Sequence, residues 1–480
     1  MTASLPQLPI AVLGAGPIGL AAAAHLIARG LTPVVFEQGA SVGANLETYR
    51  HVRLFSPWRY DLDKAASQLL QSAGWQPPAA DELPTAGELL DNYLRPLAEL
   101  PMLASRIHLG HRVVQVARVD FDKVTTGGRE AAPFVIRTRS NTGEHECIVA
   151  AVIDATGTWS HPNPLGANGM PALGEAAAAA RIAYGMPDVL GTMRDTYAGR
   201  RVLVAGAGHS AAGSLLTLAQ LAEVAPGTRI VWAVRGSQLT RVFGGGAADG
   251  LPARGQLGMR LKALRDSGRL EVHTGFRIAA LREHGGTLRV EGHGPEGEPR
   301  AIEGIERIIA ATGARPDLEL TRELRVRHDP WLESTDALAP LIDPNEHSCG
   351  TVRPHGHRQL AHPETGYYVV GAKSYGRAPN FLMATGYEQV RSVVAALAGD
   401  LVAADDVQLA LPETGVCSTR FVDVPAEPRA TACCGGPAPK DSGSCCVAEV
   451  KAKEEGGSGC GCSDLPAAQV QPHVKQACCA

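Results

Sequence analysis

Two glycine-rich hexapeptides carry the most specific chemistry in this chain: Gly14-Ala15-Gly16-Pro17-Ile18-Gly19 and Gly206-Ala207-Gly208-His209-Ser210-Ala211. Glycines at this spacing suit a phosphate-binding turn. The first permits the tight turn, the second lets the backbone approach a pyrophosphate, and the third lets a helix pack closely on a strand. The helix N-terminus then offers unpaired N–H groups and a positive dipole end to phosphate oxygens. The flanking residues strengthen the first instance. Ile10 to Leu13 reads as an apolar strand, Leu20 to Ala28 as an Ala-rich helix closed by Gly30, and Pro33 to Phe36 as a second strand ending at Glu37. A carboxylate about twenty residues past the turn can accept hydrogen bonds from ribose hydroxyls.

The second hexapeptide departs from the pattern. Ala211 replaces the third glycine, Ser210 can donate to a phosphate, and the following strand ends in Trp232-Ala233-Val234-Arg235 with no carboxylate. An arginine there favours a 2′-phosphate, hence NADPH over NADH. Two such loops imply two dinucleotides, an arrangement suited to passing hydride from nicotinamide to flavin.

Cysteine is the other reactive type, and its distribution is uneven. Of 11 cysteines, Cys147, Cys349 and Cys417 stand outside the C-terminal stretch. The rest are Cys433, Cys434, Cys445, Cys446, Cys460, Cys462, Cys478 and Cys479. Adjacent and one-apart thiols on a flexible chain can wrap a soft ion such as copper(I), zinc, arsenic(III) or mercury(II). The spacing of tetrahedral zinc sites is missing. Cys349, in His347-Ser348-Cys349-Gly350, is a candidate for capturing a soft arsenic(III) centre, and otherwise a small buried apolar residue. His355 and His357 read as solvated loop histidines.

Further elements must position these groups. Helical patterning runs from Thr85 to Leu100, and alternation near Val113 and Phe134 suggests antiparallel strands. Val149 to Asp154 is an apolar strand leading into Ala155-Thr156-Gly157. The pattern restarts with a strand at Arg201 to Ala205, a helix from Ala212 to Val224 and a strand at Ile230 to Val234. Ile308 to Ala311 then meets Thr312-Gly313, and Tyr367 to Val370 precedes Gly371 and a helix from Ala384 to Leu397. The chain has 480 residues, 45% of them hydrophobic, and a net charge of -4. That is enough for two to three packed domains, with no basic stripe for nucleic acid. No run reaches membrane-span length, and no charged region precedes the first apolar segment, so a cytoplasmic protein without a membrane is expected. After about Leu411 the periodicity stops.

The expected fold class is therefore α/β: two Rossmann-like dinucleotide-binding domains, each a three-layer ββα unit, plus a disordered Cys-rich tail. Residues 1–160 and 310–411 are expected to form a discontinuous FAD-binding domain, 161–309 the NADPH-binding domain and 412–480 the tail.

The two hexapeptides, Ala155-Thr156-Gly157 and Ala311-Thr312-Gly313-Ala314-Arg315-Pro316 together resemble the flavoprotein family of flavin-containing monooxygenases, Baeyer–Villiger enzymes and thioredoxin-reductase-like proteins. The resemblance covers roughly residues 8 to 400 and implies FAD on the loop with Glu37. It also makes the two Ala-Thr-Gly segments crossovers between domains, with Gly157, Gly313 and Gly371 near the cofactors. There are departures. Tyr184-Gly185 is present, but Asp188-Val189 stands where the monooxygenase fingerprint has a histidine. Gly371 is followed by Ala372 and Lys373, not by the aspartate that holds the flavin ribitol in thioredoxin-reductase relatives. The core has no Cys-x-x-Cys.

Leu54-Phe55-Ser56-Pro57-Trp58, Gly206 to Ser210, Lys373 to Phe381 and the Cys-rich tail are similar to a subgroup of flavin-dependent monooxygenase-like proteins associated with bacterial arsenic-resistance operons. That resemblance implies NADPH-, FAD- and O2-dependent oxidation of a small trivalent organoarsenical. Trp58, Phe55, Tyr375 and Phe381 are candidate walls around the flavin ring, with plain core packing as the alternative. Two other readings stay open: a flavin-dependent reductase of metal ions or disulfides fed by the tail, and a metalloid-sequestering protein on a flavoprotein scaffold.

Overall fold

In the first half of the chain the strands are β1 (Ile10–Leu13), β2 (Pro33–Phe36), β3 (Ile107–His108), β4 (Arg112–Arg118), β5 (Phe134–Ser140), β6 (Gly143–Val149) and β7 (Ala151–Asp154). The second half adds β8 (Ile182–Tyr184), β9 (Arg201–Ala205), β10 (Arg229–Ala233), β11 (Leu270–His273), β12 (Arg277–His284), β13 (Thr287–His293), β14 (Pro299–Ile305) and β15 (Arg307–Ala310), and then β16 (Tyr367–Val369). These come from a computed structural model, which describes residues 8–240, 242–244, 246, 249–346, 352–378 and 381–409. Two five-stranded parallel sheets result, in the orders β16-β7-β1-β2-β3 and β11-β10-β9-β15-β8. Two antiparallel meanders, β4-β5-β6 and β12-β13-β14, complete the strand set.

Each parallel sheet is the middle of three layers. Successive side chains of a strand point to opposite faces. In the first sheet Ile10, Val12, Val35 and Ile153 pack on helices, while Ala11, Leu13, Phe36 and Val152 pack on Val116, Phe134 and Ile136 of the meander. In the second, Val202, Val204 and Trp232 face the helices, and Leu203, Ala205 and Val231 face Val290 and Ile302. The expected α/β class with parallel sheets is thus observed.

The first helix, Pro17–Ala28, is buried along most of its length, including Ala21, Ala22, Ala23 and Ala24. Small side chains let it lie close to both the sheet and the Met383–Leu397 helix. It begins at Pro17, earlier than the Leu20 expected from apolar patterning, because proline's fixed φ and missing N–H suit the first helical position. The second-loop helix likewise starts early and spans His209–Val224.

The helix expected from Thr85 to Leu100 is present from Ala86 to Glu99 but changes its hydrogen bonding midway. Thr85 and Glu88 close a capping box over Ala86–Leu89, a π-helical turn occupies Leu90–Leu94, and α-helix resumes at Arg95–Glu99. Pro96 has no N–H to give the Asn92 carbonyl, as an α-helix would require. The Trp75 indole N–H takes that carbonyl at 2.9 Å.

The chain leaves the first sheet after β7 and returns to it at β16. The two connections pair with each other: Asn163 N–H donates to the Gly313 carbonyl at 2.9 Å, and Arg315 N–H to that of His161 at 3.0 Å. Among the described residues no helix is long and apolar enough to cross a membrane.

Candidate dinucleotide site

Each glycine of the first loop has a distinct environment. Gly14 adopts φ +93°, and a Cβ there would lie 2.9 Å from the Ala155 carbonyl oxygen. A Cβ on Gly19 would lie 1.9 Å from the Gly14 carbonyl oxygen, so the helix approaches its own turn closely. A Cβ on Gly16 would meet nothing within 4 Å. The helix behind it has no side-chain cap, so its first N–H groups are left for a ligand. Tight where protein packs and open where a pyrophosphate would approach, the turn fits the dinucleotide expected there.

Glu37 is buried and folded back on this loop. Its Oε2 accepts the Ala15 N–H at 2.8 Å and its Oε1 the Gly39 N–H at 2.7 Å. A carboxylate oxygen has a second acceptor direction, so ribose hydroxyls can still be bound.

The second loop repeats the geometry. Gly206 adopts φ +135° with its Cβ position 2.1 Å from the Ala311 carbonyl oxygen, and a Cβ on Gly208 would meet nothing within 4 Å. Ala211 is fully buried, and Ser210 is half-buried in the first helical turn. Strand register locates the acid's counterpart. Gly14 N–H donates to Phe36 and Gly206 N–H to Ala233, so Val234, not Arg235, is the counterpart of Glu37. Val234 is buried; Arg235 follows it, exposed, with its Nη1 on the Ala167 carbonyl at 3.2 Å.

Gly157 (φ +68°) and Gly313 (φ +83°) end the crossover triplets. Gly371 (φ +71°) packs on Ile18 in the first turn of the Pro17–Ala28 helix, with its Cβ position 3.2 Å from Ile18 Cγ1. Its N–H donates to Gln389 Oε1 at 2.7 Å.

The candidate aromatic walls divide into two pairs. Trp58 (3% exposed) and Tyr375 (1%) are core residues. Phe55 and Phe381 keep accessible surface, and Phe55 lies with its ring 5.2 Å from that of His209, which opens the second-loop helix.

Three groups were not singled out in the sequence. Lys373 Nζ donates to Asp154 Oδ2 at 2.7 Å and to Thr156 Oγ1 at 3.1 Å, and Tyr367 OH donates to Asp154 Oδ2 at 2.9 Å. Burial alone would raise the Asp154 carboxyl, but the Lys373 ammonium and the Thr156 hydrogen bonds outweigh it and hold the group below its ordinary range. The buried cluster ties β7 and its crossover to the segment after β16. Lys373, noted two residues after Gly371, was the signal, but its partner could not be read. The second group is Gln389, which also donates to Ser374 Oγ and to His355 Nε2, both at 2.9 Å. The third is Asp61, fully buried with Ser56.

The solvated-histidine expectation is corrected. His355 is buried at 4% exposure against Tyr375, because its Nδ1–H on the Arg353 carbonyl and its Nε2 on Gln389 satisfy both ring nitrogens. His357 is held by Asp405 at 2.9 Å. Cys147 is half-buried on β6, and burial raises its thiol pKa. Cys349, Cys417 and the eight tail cysteines lie outside the described residues. Among the described residues no cluster of three or more His, Cys, Asp or Glu could hold a metal.

Similar architectures occur in several solved structures. The bacillithiol disulfide reductase Bdr (YpdA) of Bacillus cereus is 19% identical, with a TM-score of 0.60 over 82% of this chain and 99% of that one. The FAD-bound cadaverine monooxygenase DfoA of Erwinia amylovora, from desferrioxamine biosynthesis, is 14% identical, with a TM-score of 0.59 over 85% and 98%. The Kutzneria ornithine N-hydroxylase KtzI is 16% identical, with a TM-score of 0.52 over 83% and 99%. At these identities the likeness is one of fold. No curated protein matches the sequence. Residues 11–349 match the pyridine nucleotide-disulphide oxidoreductase family model, and the chain belongs to that family.

Proposed function

We propose that this chain is an FAD- and NADPH-dependent monooxygenase-like oxidoreductase acting on a soft nucleophile such as a trivalent organoarsenical. The observation that carries the two-cofactor part is the repeated turn: Gly16 and Gly208 face open space while Gly14 and Gly206 are locked against the crossover carbonyls of Ala155 and Ala311. In this reading Gly14, Gly16, Gly19 and Glu37 hold FAD, with Gly157 and Gly371 beside it. Gly206, Gly208, Ser210 and Arg235 hold NADPH, with Gly313 beside it, and the exposed Arg235 guanidinium meets the 2′-phosphate.

Bound FAD supplies hydride acceptance from NADPH and, once reduced, activation of O2. The residues bind, orient and exclude water. Glu37 fixes the loop through Ala15 and Gly39. The Lys373–Asp154 pair neutralises charge beneath the first crossover. Phe55 and Phe381 supply apolar surface. Nothing in this chemistry requires an acid–base triad.

The organoarsenical rests on the resemblance of residues 54–58, 206–210 and 373–381, together with the paired tail thiols. Those thiols, in a reducing compartment such as the cytoplasm, would bind arsenic(III) or another thiophilic ion. Cys349 would offer a further thiolate. The test is NADPH-dependent O2 uptake by the full chain. A trivalent organoarsenical should stimulate it and be recovered as the pentavalent form; uptake that ignores the arsenical, or reduction of added disulfide in its place, overturns the monooxygenase reading.

A further inference from the structure

The segment between residues 54 and 62 joins the two nucleotide-binding halves. Leu54 N–H donates to the Pro84 carbonyl at 2.8 Å and Trp58 N–H to that of Glu82 at 3.0 Å, fixing it from one side. Tyr387 OH, on the Met383–Leu397 helix, donates to the Asp61 carbonyl at 2.8 Å and fixes it from the other. Gly386 of the same helix packs on Ile18, in the first turn behind Gly16. Phe55 leaves the segment toward His209 at the second loop.

Inside this bridge, Ser56 Oγ donates to Asp61 Oδ1 at 2.7 Å and closes the segment on itself. Asp61 is 0% exposed, and its Oδ2 has no hydrogen-bond partner. A buried oxygen without a donor is tolerated while the carboxyl is neutral and becomes costly once it is charged.

We propose that Asp61 is a positioning residue for hydride transfer: through the Ser56 clasp it holds Phe55 against His209 at the second nucleotide loop. The inference rests on the two-cofactor reading above. Asp61 touches neither nucleotide loop; it acts through Ser56 and Phe55.

Its surroundings make the clasp sensitive to protonation. Burial pushes the Asp61 carboxyl up to about 7, and the Ser56 hydrogen bond works against that rise. The titratable groups packed around it are Asp63, Tyr93 and Tyr387, with His25 held on Asp63 at 2.9 Å. None of them puts a cation on Asp61 Oδ2. Below the folded pKa the neutral carboxyl keeps the clasp shut. Above it, the carboxylate gains by admitting water to Oδ2, which loosens the segment and withdraws Phe55.

The experiment measures NADP+ affinity and the anaerobic rate of flavin reduction by NADPH across pH, in the full FAD-loaded chain and in Asp61→Asn and Ser56→Ala. For the wild type the affinity and rate are expected to fall by about fivefold as pH rises from about 6 to about 8, the coupling produced over that range by a one-unit pKa difference between closed and open forms. Asp61→Asn, which cannot ionise, should flatten both profiles. Ser56→Ala removes the clasp itself and should lower affinity and rate at about pH 6 to the wild type's values at about pH 8, leaving little pH dependence. A wild-type profile unchanged in Asp61→Asn overturns the inference. If Asp61→Asn does not fold, Ser56→Ala decides, and a Ser56→Ala profile as high and as steep as the wild type's overturns the inference. Absence of flavin reduction at every pH would instead sink the two-cofactor reading.

Discussion

The Ala155 carbonyl oxygen stands 2.9 Å from where a Cβ on Gly14 would lie, and the Ala311 oxygen stands 2.1 Å from the same point on Gly206. Both glycines also have positive φ, at +93° and +135°. A side chain at Gly206 thus meets backbone that cannot rotate away. Gly206→Ala is expected to cost about 1–3 kcal/mol, the range for a strained backbone held by its surroundings. Chemical denaturation of the FAD-loaded protein checks this, and NADP+ affinity should fall with it.

Gly16 gives the opposite pattern. Its Cβ position is open, so Gly16→Val should leave the FAD-free fold about as stable as the wild type. The same change should eject FAD, because the new side chain fills the space a pyrophosphate requires. Thermal unfolding of FAD-free protein and absorbance of the purified variant separate the two effects. A yellow variant at full FAD occupancy would refute the assignment of this turn.

Arg235 has no carboxylate partner among the described residues; its Nη1 rests on the Ala167 carbonyl. Arg235→Ala should therefore raise KM for NADPH with little change for NADH. The loss is expected to be about tenfold to a hundredfold, as for a charge-assisted hydrogen bond worth about 1.5–3 kcal/mol. Equal effects on both nucleotides would remove the 2′-phosphate argument.

His362 supplies a pH dependence of stability. Burial first, and then its neighbour His328, push it down to about 4. The unfolded chain takes up this proton more readily, at about pH 6.5. Stability from the neutral ring is present above that value and is lost as pH falls toward 4. Between about pH 7 and about pH 5 the loss from this residue should be about 2 kcal/mol. Urea denaturation of wild type and His362→Gln at both pH values tests it; the variant should lose less.

Much of the geometry of the two glycine turns was legible in the sequence because it is local. The glycines, the flanking strands and Glu37 fall within one short stretch, so spacing alone expresses their geometry. Helix starts were misplaced where proline and glycine chemistry, not apolar patterning, sets the boundary. The π-helical turn before Pro96 leaves the Asn92 carbonyl to Trp75, a pairing no periodicity expresses. Trp58 and Tyr375 have the composition of a cofactor wall, and their depth in the helix-side core shows only in the fold. Asp154 and Lys373 are far apart in sequence and meet only because β16 lies beside β7. Val234 emerges as the counterpart of Glu37 only from strand register.

The most direct test of the central claim is an absorption spectrum of the purified full-length protein, followed by anaerobic addition of NADPH. The account predicts a flavin spectrum that bleaches with NADPH, and more slowly in Arg235→Ala. A colourless protein that takes up no FAD, or a bound flavin that NADPH does not reduce, would contradict it.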